Sequence, residues 1–191
     1  MPLTFITGPV RSGKSRLAER LARETLCRVT YLATAARDAS DPQWNTGLSH
    51  HARTRPSQWQ TLETADLSHE ALLAIFAQKN DAQTLLLDSI DTWLSTCIAH
   101  EVERVRRAYG DVERELDERA RELATAMRAS RAHVIVVCGQ VGWDVVPMAA
   151  AARLFRDVLG RAGQQLAADA DRAWLVVAGH AIDLKAIGTQ V

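Results

Sequence analysis

The sequence predicts an α/β fold: a mostly parallel sheet flanked by helices, with an antiparallel strand at its C-terminal edge. Three observations carry this expectation. Short apolar runs alternate with longer helical patterns, as strands joined by right-handed crossover helices require. The first run leads directly into a glycine-containing loop and then a helix. Near its end the chain doubles back through Gly179 between two short apolar stretches.

The apolar runs are Leu3–Thr7, Val29–Thr34, Thr84–Asp88, His133–Cys138 and Ala173–Ala178. Each is continuous rather than alternating, which is the pattern of a strand covered on both faces. Helical patterns occupy residues 14–26, 68–78, 100–130 and 147–169. Residues 101–131 hold 16 charged side chains, eight of each sign, with Val105, Val112, Leu116, Leu123 and Met127 at helical spacing. That reads as one long amphipathic helix whose charged side is solvated and self-paired. A partner-binding arm is the other reading, and the solvated face is preferred because such faces are common. The stretch Val176–Leu184 turns at Gly179 and supplies the antiparallel edge.

A chain of 191 residues with 47% hydrophobic and 24% charged content suits one domain over 1–191, with a full core of its own. Its 23 basic and 23 acidic side chains cancel, which speaks against a partner gripped through a basic field, whether nucleic acid or anionic membrane. No apolar run approaches the roughly 20 residues of a membrane span. The start, Met1-Pro2-Leu3-Thr4-Phe5, enters a strand without a basic and apolar leader, so no signal peptide is expected. Cys27, Cys97 and Cys138 are odd in number and far apart, as suits a reducing cytoplasm. Of the basic residues 20 are Arg, and only Lys14, Lys79 and Lys185 are Lys.

One of those lysines stands in the strongest chemical signal. Gly8-Pro9-Val10-Arg11-Ser12-Gly13-Lys14-Ser15 fits G-x-x-x-x-G-K-S between a strand and a helix. The glycines let the backbone turn so that its N–H groups and the helix N-terminus face phosphate oxygens. Lys14 would reach the β- and γ-phosphates, and the Ser15 hydroxyl would serve Mg²⁺. A second carboxylate is then required near the metal. Asp88, ending Leu85-Leu86-Leu87-Asp88, supplies it, with Asp91 one turn later. The plainer reading of Asp88 is an N-cap for the next helix. The metal role is preferred because the chemistry needs a carboxylate there.

After the second strand comes Ser49-His50-His51-Ala52-Arg53-Thr54-Arg55-Pro56-Ser57-Gln58-Trp59. A neutral histidine can attack phosphorus and form a phosphoramidate, and neighbouring Arg can hold phosphate charge. From the residues alone, two exposed loop histidines are the better reading.

Here the sequence resembles the bifunctional adenosylcobinamide kinase / adenosylcobinamide-phosphate guanylyltransferases of cobalamin biosynthesis. The resemblance runs through Thr7-Gly8, Arg11–Ser15, Tyr31-Leu32-Ala33-Thr34-Ala35, His50-His51 with Arg55-Pro56, and Trp59-Gln60-Thr61-Leu62-Glu63. It continues in Asp88, Trp93-Leu94-Ser95, Val141-Gly142, Val146-Pro147, Arg153–Asp157, Gly160-Arg161 and Trp174–Val177. It implies a RecA-like sheet, a homotrimer and two reactions. An NTP, ATP or GTP, phosphorylates adenosylcobinamide. GTP then guanylylates His51, and GMP passes to adenosylcobinamide phosphate to give adenosylcobinamide-GDP. It implies nucleotide contacts from the loop residues and from Thr34, His50, Arg55, Glu63 and Asp88, with His51 and Lys14 catalytic.

The departures remove polar groups. The family's Asn-Glu-Val-Gly is Gly139-Gln140-Val141-Gly142 here, and its acid-Met and Arg-Ile elements are Gln43-Trp44 and Gly47-Leu48. Its Glu-Asn after Val-Pro is Met148-Ala149, and two Asn positions hold Thr96 and Gly163. Two readings follow: an active enzyme that tolerates neutral replacements, or a divergent copy keeping nucleotide binding or one reaction. Intact Lys14, Ser15, Asp88 and His51 favour the enzyme. His69, His100, His133 and His180 show no metal-ligand spacing. Trp44 and Trp143 fall near the expected site and fit a stacking role or the core equally.

Overall fold

The computed structural model describes residues 2–36, 40–43, 45–46, 55–78, 82–143 and 145–190. His50, His51, Trp44, Gly47, Leu48 and Lys79 lie outside the described residues. The strands are β1 (Leu3–Gly8), β2 (Arg28–Ala33), β3 (Gln60–Glu63), β4 (Gln83–Asp88), β5 (His133–Gly139), β6 (Arg172–Val177) and β7 (His180–Asp183). The helices are α1 (Lys14–Glu24), α2 (His69–Phe76), α3 (Ile90–Ala99), α4 (Val102–Arg107), α5 (Tyr109–Ala129), α6 (Ala150–Asp169) and α7 (Leu184–Ile187).

They build one seven-stranded sheet in the order β3-β2-β4-β5-β1-β6-β7. Every pair is parallel except β6 with β7. The expected antiparallel edge is therefore present, and Ala178 and Gly179 turn it with positive φ. His180 is the first residue of β7.

The continuous apolar runs have the cause anticipated. Successive side chains of a strand point to opposite faces, and both faces here are covered. Leu85 and Leu87, and Val134 and Val136, join a core with Leu72, Phe76, Leu116, Leu123 and Leu154 from the helices. Leu86, Ile135 and Val137 point the other way, to Leu17, Ala18 and Ala22 of α1. The cover is unequal: among the described residues α1 is the one helix in the second cluster, with Trp59 packed against it. Truncating a fully buried side chain such as Leu86 to Ala would cost about 2–5 kcal/mol.

Three local differences from the sequence reading have physical reasons. The single helix expected over 100–130 is two, α4 and α5, broken at Ala108 (φ −144°, ψ 54°). Arg104 bonds Glu101 on its own side and Glu115 across the break. In a straight helix Arg104 and Glu115 would be roughly 16 Å apart along the axis, so the pair requires the bend. The apolar spacing Val105–Val112 continues through the break, which is why the pattern looked unbroken. Secondly, β3 was not anticipated: Gln60 and Thr61 are exposed at the sheet edge and leave no apolar run. Thirdly, the bounds of α3 were not assigned, because it follows β4 after only Ser89 and the two merge into one apolar stretch.

Candidate nucleotide-binding site

The site forms where β1 passes into α1. Gly8 ends β1, and a Cβ there would lie 2.1 Å from the Val176 carbonyl oxygen, so only glycine fits against β6. Pro9, Val10, Arg11 and Ser12 make the loop, with Val10 and Arg11 exposed and Arg11 in the left-handed region (φ 57°). The Ser12 N–H donates to the Pro9 carbonyl at 3.3 Å, and the Gly179 N–H donates to the Ser12 carbonyl at 3.0 Å. The β6–β7 turn thus buttresses the loop. The Ser12 hydroxyl is buried and takes no partner among the described residues.

Gly13 caps α1 from the left-handed region (φ 105°), with no side-chain cap and no acid in the first turn. The first-turn N–H groups and the positive end of the helix are therefore left to face an anion. Lys14 opens the helix, and its ammonium donates to the Pro9 carbonyl at 2.8 Å. Burial holds that ammonium below its usual proton affinity, while the charges of Asp91 and then Asp88 oppose the shift. Ser15 is half-buried in the first turn.

Asp88 ends β4, which is separated from β1 by β5. It is not the cap of the next helix. Ser89 holds that place in a capping box with Thr92, which corrects the plainer sequence reading. One Asp88 carboxylate oxygen accepts the Tyr31 hydroxyl at 2.6 Å. Burial first, and then the Asp88 charge, raise the Tyr31 phenol far above its usual range, so it stays protonated as the donor. The Arg55 guanidinium stacks 3.6 Å from the Tyr31 ring centroid, with its Nε buried and unpartnered among the described residues. Arg55, Tyr31 and Asp88 thus form one continuous contact.

On the other side, Asp91 reaches from α3 to accept the Gly139 N–H at 2.7 Å. The β1–β5 register sets Gly139 beside Gly8. Gln140 donates its backbone N–H to the Gly8 carbonyl at 2.8 Å, and its side-chain oxygen accepts the Thr7 hydroxyl at 3.2 Å. Cys138, just below, is buried, and its thiol is pushed up by burial and then by Asp91. That removes it from nucleophilic chemistry.

The structure therefore gathers Gly8–Ser15 and Asp88, with Arg55 joined to Asp88 through Tyr31. Thr34 is buried, and its hydroxyl bonds both the carbonyl and the N–H of Ser89 at 2.7 Å. That hydroxyl holds the β4–α3 turn. Glu63 is exposed at the end of β3, one strand beyond β2. Tyr31 and Gly139 were not singled out as site residues, since a Tyr within a strand or a Gly at its end carries no spacing signal of its own.

Among the described residues no set of three His, Cys, Asp or Glu side chains could cage a metal ion. Ser15 and Asp88 offer oxygen donors, which suit a hard cation held mainly by phosphates and water.

A parallel sheet with the phosphate loop on β1, an acidic strand end on β4 and one strand between them defines a RecA-like P-loop nucleotide-binding protein. An ATPase from the type III secretion system of pathogenic bacteria shares this fold, with a TM-score of 0.51 and 11% identity over 98% of this chain and 58% of that one. The chain belongs to the family described as cobinamide kinase / cobinamide phosphate guanyltransferase, matched over residues 4–184. It is 32% identical to the bifunctional adenosylcobalamin biosynthesis protein CobU of Escherichia coli (strain K12), over 96% of this chain and 99% of that protein. It is 34% identical to the CobU of Salmonella typhimurium (strain LT2), with the same two coverages. It is 33% identical to the bifunctional adenosylcobalamin biosynthesis protein CobP of Pseudomonas aeruginosa (strain PAO1), over 95% of this chain and 96% of that protein. No helix among the described residues is long and apolar enough to cross a membrane.

Proposed function

We propose that this protein phosphorylates adenosylcobinamide with an NTP and then, with GTP, converts the phosphate to adenosylcobinamide-GDP in cobalamin assembly. The observation that carries the reading is the Arg55–Tyr31–Asp88 contact. Arg55, whose guanidinium stacks on Tyr31, follows His51 by four residues in sequence.

In the first reaction the acceptor hydroxyl attacks the γ-phosphorus. An O–P bond forms, the β,γ-bridging bond breaks toward the nucleoside diphosphate, and the hydroxyl proton leaves to solvent. The loop N–H groups and Lys14 hold the phosphates and the charge that develops on them. In the second, the His51 imidazole attacks the α-phosphorus of GTP, an N–P bond forms and pyrophosphate departs. An oxygen of adenosylcobinamide phosphate then attacks the same phosphorus. The N–P bond breaks and the imidazole is regenerated. Arg55 would hold charge on the phosphates near His51, with His50 as its neighbour. Mg²⁺ carried with the nucleotide, held by Ser15 and Asp88, would neutralise phosphate charge. A homotrimer in the cytoplasm belongs to the same reading.

Intact-mass measurement after incubation with GTP and Mg²⁺ tests it. The expected product is protein heavier by one GMP, acid-labile and absent in His51→Ala. Wild type that binds GTP yet gains no mass overturns the guanylyl-transfer half. Phosphoryl transfer that survives alone would leave a small-molecule kinase.

A further inference from the structure

Helix α6 carries three arginines, Arg153, Arg156 and Arg161, and two of them are committed within the fold. Arg161 bonds Asp117 and Glu113 of α5 at 3.0 and 2.8 Å. Arg153 donates to the Pro147 and Met148 carbonyls at 3.0 and 2.6 Å, which ties the loop after β5 to the helix. Arg156 differs. Its Nη1 is buried, yet it takes no hydrogen-bond partner among the described residues. A buried guanidinium nitrogen without an acceptor is costly to keep, so its position suits an anion that arrives from outside.

The guanidinium is placed by a glycine. A Cβ at Gly142 would lie 3.3 Å from Arg156 Nε and 3.7 Å from its Cγ, and Gly142 is in the left-handed region at φ 93°. The arginine stem thus lies along a residue whose backbone favours having no side chain. Gly142 follows Gln140 by two residues, no more than about 7 Å between Cα atoms. The Gln140 N–H in turn holds the Gly8 carbonyl at 2.8 Å, at the start of the phosphate loop. Arg156 reaches this end of the sheet from the side opposite to Lys14. Leu154 and Val158 of α6 pack in the first core cluster, whereas α1 packs in the second.

We propose that the Arg156 guanidinium binds the phosphate monoester of adenosylcobinamide phosphate and so selects the phosphorylated acceptor for guanylyl transfer. The nucleotide phosphates have the loop N–H groups, Lys14 and Arg55. The monoester enters as a second anion and needs a cation of its own. A guanidinium fork matches two phosphate oxygens at once and leaves the third to attack the phosphorus on His51. Trp143, Val146 and Met148 on the same loop are exposed, which suits a phosphate carried on a large, mostly apolar body. The inference rests on the proposed guanylyl transfer for its rate effect, and on acceptor binding alone for its affinity effect.

The test compares Arg156→Met with wild type in the two halves of guanylyl transfer. Guanylylation of the protein by GTP and Mg²⁺ is followed by intact mass. Release of GMP from the guanylylated protein is followed against the concentration of adenosylcobinamide phosphate. The expected result is a rise of at least about tenfold in the half-saturating acceptor concentration, with guanylylation within about threefold of wild type. An unchanged acceptor dependence overturns the proposal. Guanylylation slowed about tenfold or more would put Arg156 on the phosphates of GTP, and that too overturns it. Equilibrium dialysis adds a readout without turnover. The variant should bind adenosylcobinamide phosphate at least about tenfold more weakly and adenosylcobinamide within about twofold of wild type. Equal losses for the two corrinoids would mark a merely structural arginine and overturn the proposal. If Arg156→Met does not fold, Arg156→Lys, which keeps the charge but not the fork, takes its place with an expected change of at least about fivefold. Wild type that binds adenosylcobinamide phosphate but never gains GMP defeats the functional reading instead; dialysis then decides the Arg156 proposal by itself.

Discussion

The Arg55 guanidinium lies 3.6 Å from the centroid of the Tyr31 ring, and the same Tyr31 gives its hydroxyl to Asp88 at 2.6 Å. A single buried aromatic ring therefore separates the end of the histidine segment from the acidic end of β4. Tyr31→Phe keeps the ring for Arg55 and removes only the donor to the carboxylate. A hydrogen bond to a charged partner is worth about 1.5–3 kcal/mol, so urea unfolding should show a loss in that range. Both reactions should slow, as Asp88 loses its fixed orientation. Unchanged stability with unchanged rates would mean that the phenol does not hold Asp88.

Arg55→Lys separates stacking from charge. Lysine keeps the positive charge but has no plane to lay on Tyr31. The lost stack is worth about 0.5–2 kcal/mol. Guanylylation of the protein should fall further than phosphorylation of adenosylcobinamide, because Arg55 adjoins the histidine segment in sequence and Lys14 does not depend on it. Equal losses in the two reactions would place the effect on the fold rather than on the histidine segment.

Gly8→Ala acts by contact. Its methyl group would meet the Val176 carbonyl oxygen at 2.1 Å, and both partners are backbone, so neither yields by rotating a side chain. Relief requires β1 and β6 to part, at a cost of about 1–3 kcal/mol. Thermal unfolding should drop by roughly 2–10 °C for a chain of this size. ATP binding should weaken with it, since the loop begins at this residue. A variant of wild-type stability would show that the strands can separate freely here.

The fold was readable because its two strongest signals are local. Continuous apolar strands report burial on both faces, and the loop between Thr7 and Ser15 reports itself through residues adjacent in sequence. The remainder of the site is not local. Tyr31 meets Asp88 across the β2–β4 pairing, and Asp91 meets Gly139 across 48 residues of chain. Neither pair leaves a spacing in the sequence. The break at Ala108 was hidden for a different reason: the heptad-like spacing of Val105 and Val112 suits two helices meeting at an angle as well as one. Thr34 shows the converse, a residue the resemblance pointed to whose hydroxyl is committed to Ser89.

Thr34→Val tests that commitment. Valine keeps the shape but removes one of the partners of the Ser89 carbonyl and N–H in a buried setting, where Thr92 Oγ1 also bonds both. Losing a hydrogen bond whose partners keep others costs about 0.5–1.5 kcal/mol. The expected outcome is a loss of stability in that range with nucleotide affinity changed only as far as the β4–α3 turn shifts. A large affinity loss at unchanged stability would instead make Thr34 a direct ligand.

The pH dependence of stability should be visible at Asp171, well away from the phosphate loop. Its carboxylate accepts the Leu3 N–H at 2.8 Å and an Arg128 N–H at 2.9 Å, while its own N–H donates to the Leu3 carbonyl at 2.8 Å. The Leu3 bond foremost holds this acid below its ordinary value of 3.8, partly opposed by burial, and the Arg128 charge adds to the lowering. The unfolded chain therefore binds the proton more tightly than the folded one, and stability rises with pH across the interval between the two values. The contribution is complete above the unfolded value and disappears as pH falls through the folded one. Asp171→Asn, which loses the charge, should unfold at lower urea than wild type near neutral pH. The gap between their midpoints should narrow below about pH 4. Because the side chain is 44% exposed, solvent screens the ion pair and the neutral-pH gap should be modest. A gap that widens on acidification would show that the carboxylate is not what ties β1 to the start of β6.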